Sequence, residues 1–383
     1  MLYILFFYYD LQKKYICPEK SPKRKKLILL PPKNPHTQTN ELDQKSEKSI
    51  PKISPMTMKV ASFFAGCGGL DYAFHHNEKF EVVFSNDFDD RACETYEHNF
   101  KFKPLCKDIR KIDDIPDCDV MLGGFPCQGF SMAGLRQEDD ERNTLYLELV
   151  RLLKKKKPKY FLFENVKGLL SMGGYETPKD KKEQTGRVFK MIVKDLEGCG
   201  YKVSTKLFKV KYYNMPQNRE RIIFFGIRED LDVSFEWAVA EDTITKTLRD
   251  AIGDLPVEQD PTIQHHSFKN KIEIKKFCGH RLLEWDKVSN TITCNGGDIH
   301  PSETRNLTVR ECARIQGFPD QFWFKGAISR QYKQIGNAVP VQLGELLCKM
   351  IADIKEQDKT QELIKSCREH LLNAQKALDL LCK

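Results

Sequence analysis

Short apolar runs recur between residues 59 and 228, and segments of helical length separate several of them. The apolar runs are Val60–Phe64, Phe80–Phe84, Asp119–Leu122, Tyr160–Phe163 and Ile222–Ile227. The amphipathic segments of helical length are Leu70–His76, Arg91–Phe100, Leu145–Lys154 and Val188–Leu196. Because the runs are continuously rather than alternately apolar, we expect a mostly parallel sheet that helices cover on both faces. The predicted fold class is therefore α/β with a doubly wound sheet.

The remaining pattern divides the chain into four parts, with predicted bounds 1–57, 58–228, 229–333 and 334–383. The first part is polar, rich in Lys and Pro and without sustained periodicity, which predicts a disordered basic extension. An alternative is that translation starts at Met56 or Met58, so that this part is not translated. The alternation of predicted strands and helices ends beyond Arg228, which predicts a smaller, irregular second domain. Helical patterning returns from Pro340 onward, and we expect the last part to pack back on the first domain.

Charge and cysteine content narrow the class of protein. The formal net charge is +8, but residues 1–57 hold eleven Lys and Arg against five Asp and Glu, so the rest carries only +2. The basic balance of the chain therefore does not by itself indicate that the folded part binds nucleic acid. Thirteen cysteines without a CxxC pair favour reduced thiols in a cytoplasmic protein, and argue against a disulfide framework or a zinc ribbon. The apolar segment Met1–Leu11 is too short to cross a bilayer.

Polar and glycine-rich residues follow four consecutive predicted strands. They are Ala65–Gly69, Asn86 with Asp87, Gly123–Cys127, and Glu164 with Asn165. In a parallel sheet, ligands bind beyond the carboxyl ends of the strands. The sequence therefore predicts a functional site at this edge.

The first of these segments, Gly66-Cys67-Gly68-Gly69, lies between a predicted strand and a predicted helix but is not a GxGxxG motif. Its glycines let a ligand approach the backbone, and the helix that follows attracts an anion. Asp87 ends the next strand, where it can accept hydrogen bonds from a ribose diol, and Phe88 offers a face for adenine. These residues indicate a nucleoside cofactor; the alternative is a tight structural turn.

Pro126-Cys127-Gln128 indicates a presented thiol. Proline fixes φ and lacks an N–H group, so it holds the cysteine rigidly after the strand. A buried and inert cysteine is the alternative, but the glycines before Cys127 and the polar segment after it disfavour burial. The thiol is a nucleophile only as the thiolate, which needs a cationic or hydrogen-bonding environment.

Two further segments supply charged groups. Glu164 ends an apolar strand, so its carboxyl group is partly desolvated and can donate or share a proton with a ring nitrogen; a helix cap or an ion-pair partner is the alternative. Arg219 and Arg221 are two residues apart and point the same way in an extended chain, which would form a paired cationic grip.

Together these residues resemble the cytosine-C5 DNA methyltransferase family, of the bacterial type II restriction-modification type, over residues 59–355. The matching motifs occur in the order of that family: Phe64–Gly69, Asn86–Asp87, Gly124–Gln128, Glu164–Val166, Gln217–Arg221, Arg310–Pro319 and Gln334–Pro340. One such motif is a weak signal, whereas seven in the family's order are a specific one. The resemblance implies the Rossmann-like fold of S-adenosylmethionine-dependent methyltransferases, and a DNA-recognition role for residues 229–333.

The resemblance also implies the roles of individual residues. Cys127 is the expected nucleophile, which adds to C6 of cytosine; Glu164 holds and protonates N3, and Arg221, with Arg219 beside it, holds O2. The expected cofactor is S-adenosylmethionine, and its expected contacts are Phe64, Gly66, Gly68, Asp87, Phe88, Asp108 and Asn337. Residues 131–143 resemble the family's mobile loop that closes over DNA.

The expected partner is double-stranded DNA with the target cytosine flipped out of the helix, since the reaction cannot occur inside a stacked duplex. We expect a monomer with no metal and no membrane contact, acting in the cytoplasm. A restriction endonuclease that cuts the same site is a partner that the sequence leaves open.

Three alternative functions remain at this point. A tRNA-modifying branch of the same family usually has a second proline before the Pro-Cys pair and a Cys-Phe-Thr signature; here Phe125 takes the first place and the signature is absent. A nicotinamide-dependent oxidoreductase would be expected to carry a GxGxxG motif. That function also assigns no joint role to Cys127, Glu164 and the two arginines. A catalytically inactive DNA-binding relative gives no reason to keep both Cys127 and Glu164.

Overall fold

The computed structural model describes residues 57–126, 145–241, 243–269 and 281–354. Four predictions from the sequence lie wholly or partly outside these residues. They concern residues 1–56 of the predicted extension, the nucleophile Cys127, the loop 131–143, and residues 355–383 of the predicted C-terminal segment.

Seven strands form one sheet in the order β3-β2-β1-β4-β5-β7-β6. The strands are β1 Met58–Phe63, β2 Phe80–Asp87, β3 Leu105–Cys106, β4 Val120–Gly123, β5 Tyr160–Val166, β6 Tyr201–Lys209 and β7 Glu220–Arg228. β7 pairs antiparallel with both of its neighbours, and the pairs from β3 to β5 are parallel. The predicted mostly parallel α/β sheet is confirmed.

Helices connect and cover these strands. They are α1 Tyr72–His75, α2 Asp90–Phe100, α3 Leu145–Lys156, α4 Pro178–Glu183, α5 Arg187–Glu197, α6 Leu248–Ile252, α7 Val309–Ile315, α8 Ile328–Asn337 and α9 at 341–354. Capping residues in the sequence define where some of these helices begin. Asp89 caps α2, because its carboxylate accepts from the backbone N–H groups of the first turn, and Thr308 with Glu311 forms a capping box at α7.

The two faces of the sheet bury different side chains of the same strands. Along β5, Tyr160 and Leu162 belong to one apolar layer, and Phe161 and Phe163 belong to the other. This alternation is what a strand with two covered faces requires. Helix α9 packs on the first layer, and helices α3 and α5 pack on the second.

Residues beyond β7 contribute to two places in the molecule. The alternating residues Leu231, Val233, Phe235 and Trp237 pack on the sheet, in the same apolar layer as α9. Helices α6, α7 and α8 instead surround a third apolar cluster, which reaches the loop after β1 through Cys67. The predicted domain boundary at residue 229 stays a prediction. No helix in the described part of the chain is both long and apolar enough to cross a membrane.

Candidate active site

A cavity of about 500 Å³ opens at the carboxyl ends of β1, β2, β4 and β5. Its walls come from the loops that follow these strands, from the start of β7 and from the end of α8. The predicted site residues that line it are Phe64, Gly66, Asp87, Phe88, Glu164, Arg219, Arg221 and Asn337. The sheet therefore brings most of the predicted residues into one cavity, as the strand-end pattern of the sequence suggested.

The glycine-rich loop after β1 shows two different uses of glycine. Gly66 has φ +57°, and a Cβ placed there meets no atom within 4 Å, so its backbone faces open space. Gly68 has φ +91°, and a Cβ there would lie 2.2 Å from the ring of Phe100. Gly68 thus permits close packing against α2, and it is not among the residues that line the cavity. Its predicted contact with a cofactor stays a prediction.

Asp87 fixes the relative position of two walls of the cavity. One carboxylate oxygen accepts from the N–H group of Gly66 at 2.7 Å, and the other accepts from that of Asp89 at 2.9 Å. Burial raises the pKa of Asp87, although these N–H groups act in the opposite direction. Each carboxylate oxygen has a further lone pair, so hydroxyl groups of a ligand can still be bound.

Phe88 follows Asp87 at the rim of the cavity and is 73% exposed. A large apolar ring that the fold leaves in solvent offers a flat surface to a ligand. Asp108 is placed differently from Phe88. Its carboxylate caps a short 3₁₀ helix at Ile109–Lys111 and pairs with Arg110 at 2.6 Å, and this hydrogen bond lowers the pKa of Asp108. Asp108 is not among the residues lining the cavity, and its predicted cofactor contact remains to be tested.

Glu164 and Arg221 form a nearly buried ion pair on the β5–β7 side of the cavity, with 2.5 Å between Arg221 Nε and Glu164 Oε1. The register of the sheet explains the contact. Arg221 on β7 is paired with Val166 on β5, so Glu164 lies one diagonal step away on the same face. The second oxygen, Oε2, faces Gly124, which lies three residues before Cys127.

Arg219 uses its guanidinium group to hold the backbone. It is 1% exposed, and it donates to the carbonyl oxygens of Ile292 at 3.0 Å, Gly336 at 2.8 Å and Ala338 at 3.0 Å. Burial lowers the pKa of Arg219 to about 9. Its Nε has no hydrogen-bond partner among the described residues. Arg219 and Arg221 therefore both reach the cavity, but only Arg221 contacts Glu164 by an ion pair.

Asn165 fixes the segment that leads to Cys127. Its amide donates to the carbonyl oxygen of Phe125 at 3.0 Å, while its own oxygen accepts from the N–H group of Val166 at 2.8 Å. Pro126 lines the cavity, and the next residue is Cys127. The chain is thus directed toward the cavity up to the residue before the predicted nucleophile.

The structure adds site residues that the sequence did not single out. The first, Asp71, is a buried residue that lines the cavity and accepts from Ser62 at 2.8 Å and from Tyr96 at 2.7 Å. His75 in turn contacts the hydroxyl of Tyr96 at 2.8 Å. Burial raises the pKa of Asp71 to about 6. An acidic residue two positions after the glycine-rich segment was the available signal, but the sequence did not show its partners.

The second such residue, Lys333, connects helix α8 to the rim of the cavity. Lys333 on α8 donates to Asp89 at 2.9 Å, so α8 is tied to the loop that carries Phe88. Although partial burial acts in the opposite direction, this hydrogen bond lowers the pKa of Asp89. Lys333 lies four residues before Asn337 on the same helical face, a relation visible only once α8 is known.

Comparison with known proteins agrees with this geometry. The family model described as "C-5 cytosine-specific DNA methylase" matches residues 58–291 and 269–353. The chain is 34% identical over 351 residues to the type II methyltransferase M.FnuDI of Fusobacterium nucleatum, with 80% of this chain and 98% of that protein covered. It is 36% identical over 334 residues to the type II methyltransferase M.MthTI of Methanothermobacter thermautotrophicus, covering 77% of this chain and 97% of that protein.

A solved structure also resembles the chain. The Dnmt2 methyltransferase of S. pombe matches with a TM-score of 0.61 and 22% sequence identity, covering 77% of this chain and 99% of that one. At this level of identity the likeness concerns the fold. The overall fold of the chain is thus shared with a known methyltransferase.

Proposed function

Because the chain belongs to the C-5 cytosine-specific DNA methylase family and is a DNA cytosine-C5 methyltransferase, we propose that its cavity binds S-adenosylmethionine at the Gly66–Asp87 end and a flipped-out cytosine at the Glu164–Arg221 end. The observation that carries this proposal is that a single cavity contains both ends. Methyl transfer needs the two reactants next to each other, and a shared cavity supplies that proximity.

The groups in the cavity wall fit the proposed cofactor. Gly66 leaves open space, Asp87 supplies carboxylate oxygens and Phe88 supplies an exposed ring. The side-chain oxygen of Gln334 is buried in the wall without a partner among the described residues, and an unpaired buried acceptor suits the hydroxyl or ammonium donors of such a ligand. S-adenosylmethionine would supply the methyl group.

The chain's own residues act on the cytosine. In the proposed reaction, the Cys127 sulfur adds to C6, which breaks the aromaticity of the ring and makes C5 nucleophilic. Glu164 holds N3 and, in its protonated form, provides the proton there, and Arg221 donates to O2. Both groups are already held close together by their ion pair, so little reorganisation is needed when the base enters. After C5 has accepted the methyl group, the C5 proton is lost to a base and the C6–S bond breaks, with its electron pair returning to Cys127. N3 gives its proton back to Glu164, which restores the aromatic ring.

We assign Arg219 a positioning role within this proposal. Its hydrogen bonds join the start of β7 to residue 292 and to the backbone at 336–338, which includes Asn337. Asn337 lines the cavity and accepts from the Cys294 thiol at 2.9 Å. Arg219 would therefore fix the position of the cofactor-binding residues relative to the residues that bind the base.

The proposed substrate is duplex DNA, from which the target base is flipped at a cost of about a few kcal/mol. Residues within 229–333 are proposed to read the recognition sequence through base-edge contacts, and residues 334–383 to complete the catalytic domain. We further propose that the enzyme acts as a monomer on cytoplasmic DNA, without a metal, and that a restriction endonuclease for the same site accompanies it.

Methylation mapping tests the proposed function. We expect purified protein with S-adenosylmethionine to place 5-methylcytosine in duplex DNA at one short recognition sequence, and sequencing that distinguishes 5-methylcytosine from cytosine reads both product and site. A tRNA substrate in a parallel reaction is the control for the RNA-modifying alternative. Methylation of the tRNA in place of the duplex would overturn the proposal.

We expect Phe88→Ala to weaken S-adenosylmethionine binding about fivefold to tenfold, because stacking of an aromatic pair contributes roughly 0.5–1.5 kcal/mol beyond burial. Since the ring is 73% exposed without ligand, the melting temperature should stay within about 2 °C of the parent's. Calorimetric titration measures the affinity. The matched control is Leu105→Ala, another exposed apolar residue (41%) on the neighbouring strand, which should bind as the parent does. Equal weakening in both variants would argue against the role of Phe88.

A further inference from the structure

Two cysteines flank the peptide that joins Asp87 to Phe88. Cys93 lies in α2, and its thiol donates to the carbonyl oxygen of Asp87 at 3.6 Å. Cys106 lies in β3, directly opposite Asp87 in the strand pair, and its thiol donates to the carbonyl oxygen of Phe88 at 3.9 Å. Consecutive carbonyl groups of the cavity rim thus each accept from a different thiol.

The two thiols contact the carbonyl oxygens of two consecutive residues, so they are neighbours in space, and both are free. Cys106 is exposed on the surface, whereas Cys93 is buried next to it. An exposed thiol beside a second thiol is the arrangement from which a disulfide forms when an oxidant arrives. Because cytoplasmic thiols are kept reduced, such a pair would be oxidised only transiently.

We propose that Cys93 and Cys106 form an oxidation site, at which a peroxide converts the pair to a disulfide and thereby weakens cofactor binding at Asp87 and Phe88. This inference rests on the cofactor site proposed above. It adds a regulatory input that the methylation reaction itself does not need.

The chemistry balances with a peroxide as the oxidant. The Cys106 sulfur attacks one oxygen of hydrogen peroxide; an S–O bond forms, the O–O bond breaks, and the leaving hydroxide takes the thiol proton to become water. The Cys93 sulfur then attacks the sulfenic sulfur of Cys106; the S–S bond forms, the S–O bond breaks, and a second water leaves with the Cys93 proton. Two thiols and one peroxide give one disulfide and two waters.

The surroundings assign the order of these steps. Burial raises the pKa of the Cys93 thiol, and the carboxylates of Asp87 and Asp89 add to this effect. Cys93 is therefore protonated and inaccessible until an oxidised sulfur forms beside it. Cys106, as the exposed member, meets the peroxide first.

A disulfide would displace the rim of the cavity. An S–S bond of about 2.05 Å requires both sulfurs to move toward each other, and both would leave the carbonyl oxygens that they now contact. The peptide between Asp87 and Phe88 would lose two hydrogen bonds. Since Asp87 also holds the N–H group of Gly66, the shift reaches the glycine loop.

The test treats the full-length protein with hydrogen peroxide, quenches it and maps its disulfides by mass spectrometry after alkylation of free thiols. We expect a peptide linked through Cys93 and Cys106, and an S-adenosylmethionine dissociation constant raised at least about fivefold, as the loss of two weak hydrogen bonds implies. Dithiothreitol should restore the affinity. Binding is the readout, because oxidation of Cys127 would abolish activity by a separate route.

Cys106→Ser is the informative variant, since this residue is exposed and its replacement leaves the core intact. It should bind the cofactor normally and keep that affinity after peroxide treatment. Cys118→Ser, at the amino end of β4 and away from the cavity, is the matched control and should respond as the parent does. No Cys93–Cys106 linkage, or a linkage without loss of affinity, would overturn the inference. Failure of the reduced parent to bind S-adenosylmethionine would instead contradict the proposed function.

Discussion

Methyl transfer by the Cys127→Ser variant is expected to be slower than that of the parent by a factor on the order of 10³ or more, while binding of duplex DNA and of S-adenosylmethionine persists. A serine hydroxyl is smaller than the thiol and fits the same place, but it is not ionised near neutral pH, so it is a much poorer nucleophile toward C6 of the cytosine. Single-turnover transfer of a labelled methyl group measures the chemical step. Electrophoretic mobility shift measures DNA binding.

The matched control for this variant is Cys294→Ser. Cys294 lies beside the cavity, where its thiol donates to Asn337, so it shares the neighbourhood but has no proposed role in bond formation. We expect its single-turnover rate to stay within about threefold of the parent's, since a hydroxyl can donate the same hydrogen bond. An unchanged rate in Cys127→Ser together with lost DNA binding would reject Cys127 as the nucleophile.

A covalent trap gives an independent reading of the same step. Duplex DNA with 5-fluorocytosine at the target position should remain attached to the protein, because fluorine cannot leave as a proton does. Mass spectrometry of the digested adduct should place the DNA on Cys127. Attachment to any other cysteine would contradict the mechanism.

The part of the fold that the sequence predicted is the part with a strong apolar signal. Strands β1, β4, β5 and β7 each bury side chains in both apolar layers, and each appears in the sequence as an apolar run. The carboxyl ends of the parallel strands β1, β2, β4 and β5 meet at one edge of the sheet, and the amino end of the antiparallel strand β7 lies beside them. The polar residues that follow the four parallel strands could therefore be assigned to one site before any coordinates were known.

The elements that were not predicted from the sequence have weak hydrophobic patterning. β6 at Tyr201–Lys209 is an edge strand with half-exposed residues and two interior lysines, so it shows no continuous apolar run. Helix α8 carries Gly336, which is unusual inside a helix. The glycine is required because a Cβ there would lie 2.4 Å from the backbone nitrogen of Cys294. Tertiary packing overrides local preference at this position.

Partner choice within the site could not be predicted from the sequence. The spacing of Arg219 and Arg221 suggested a paired grip, yet three backbone carbonyl groups from distant segments take up the guanidinium of Arg219. These carbonyls belong to Ile292, Gly336 and Ala338. Nothing in the sequence around Arg219 identifies these distant residues as its hydrogen-bond partners. Asp71 is a similar case, because its partners Ser62 and Tyr96 come from different elements.

Replacement of Glu164 by glutamine should lower the methyl-transfer rate on the order of 10²–10³-fold, because the amide cannot deliver a proton to N3 of the cytosine. A structural cost is expected as well. Arg221 would lose its ion-pair partner while remaining nearly buried, and an uncompensated buried charge costs about 3 kcal/mol or more. The rate and the free energy of unfolding must therefore both be measured.

A variant of the neighbouring ion pair between Lys167 and Glu220 is the control that distinguishes loss of proton delivery from loss of an ion pair. It joins the same region of β5 and β7 at 2.8 Å, but it is exposed, and Glu220 directly precedes Arg221. Glu220→Gln should cost less than about 1 kcal/mol of stability and leave the methyl-transfer rate unchanged. Arg221→Met in the Glu164→Gln background removes the unpaired charge, so it should recover stability. The rate should stay low, because the proton at N3 and the donor to O2 are then both missing. If the double variant regained methyl transfer along with stability, Glu164 would be a structural partner of Arg221 and the proton at N3 would have another source.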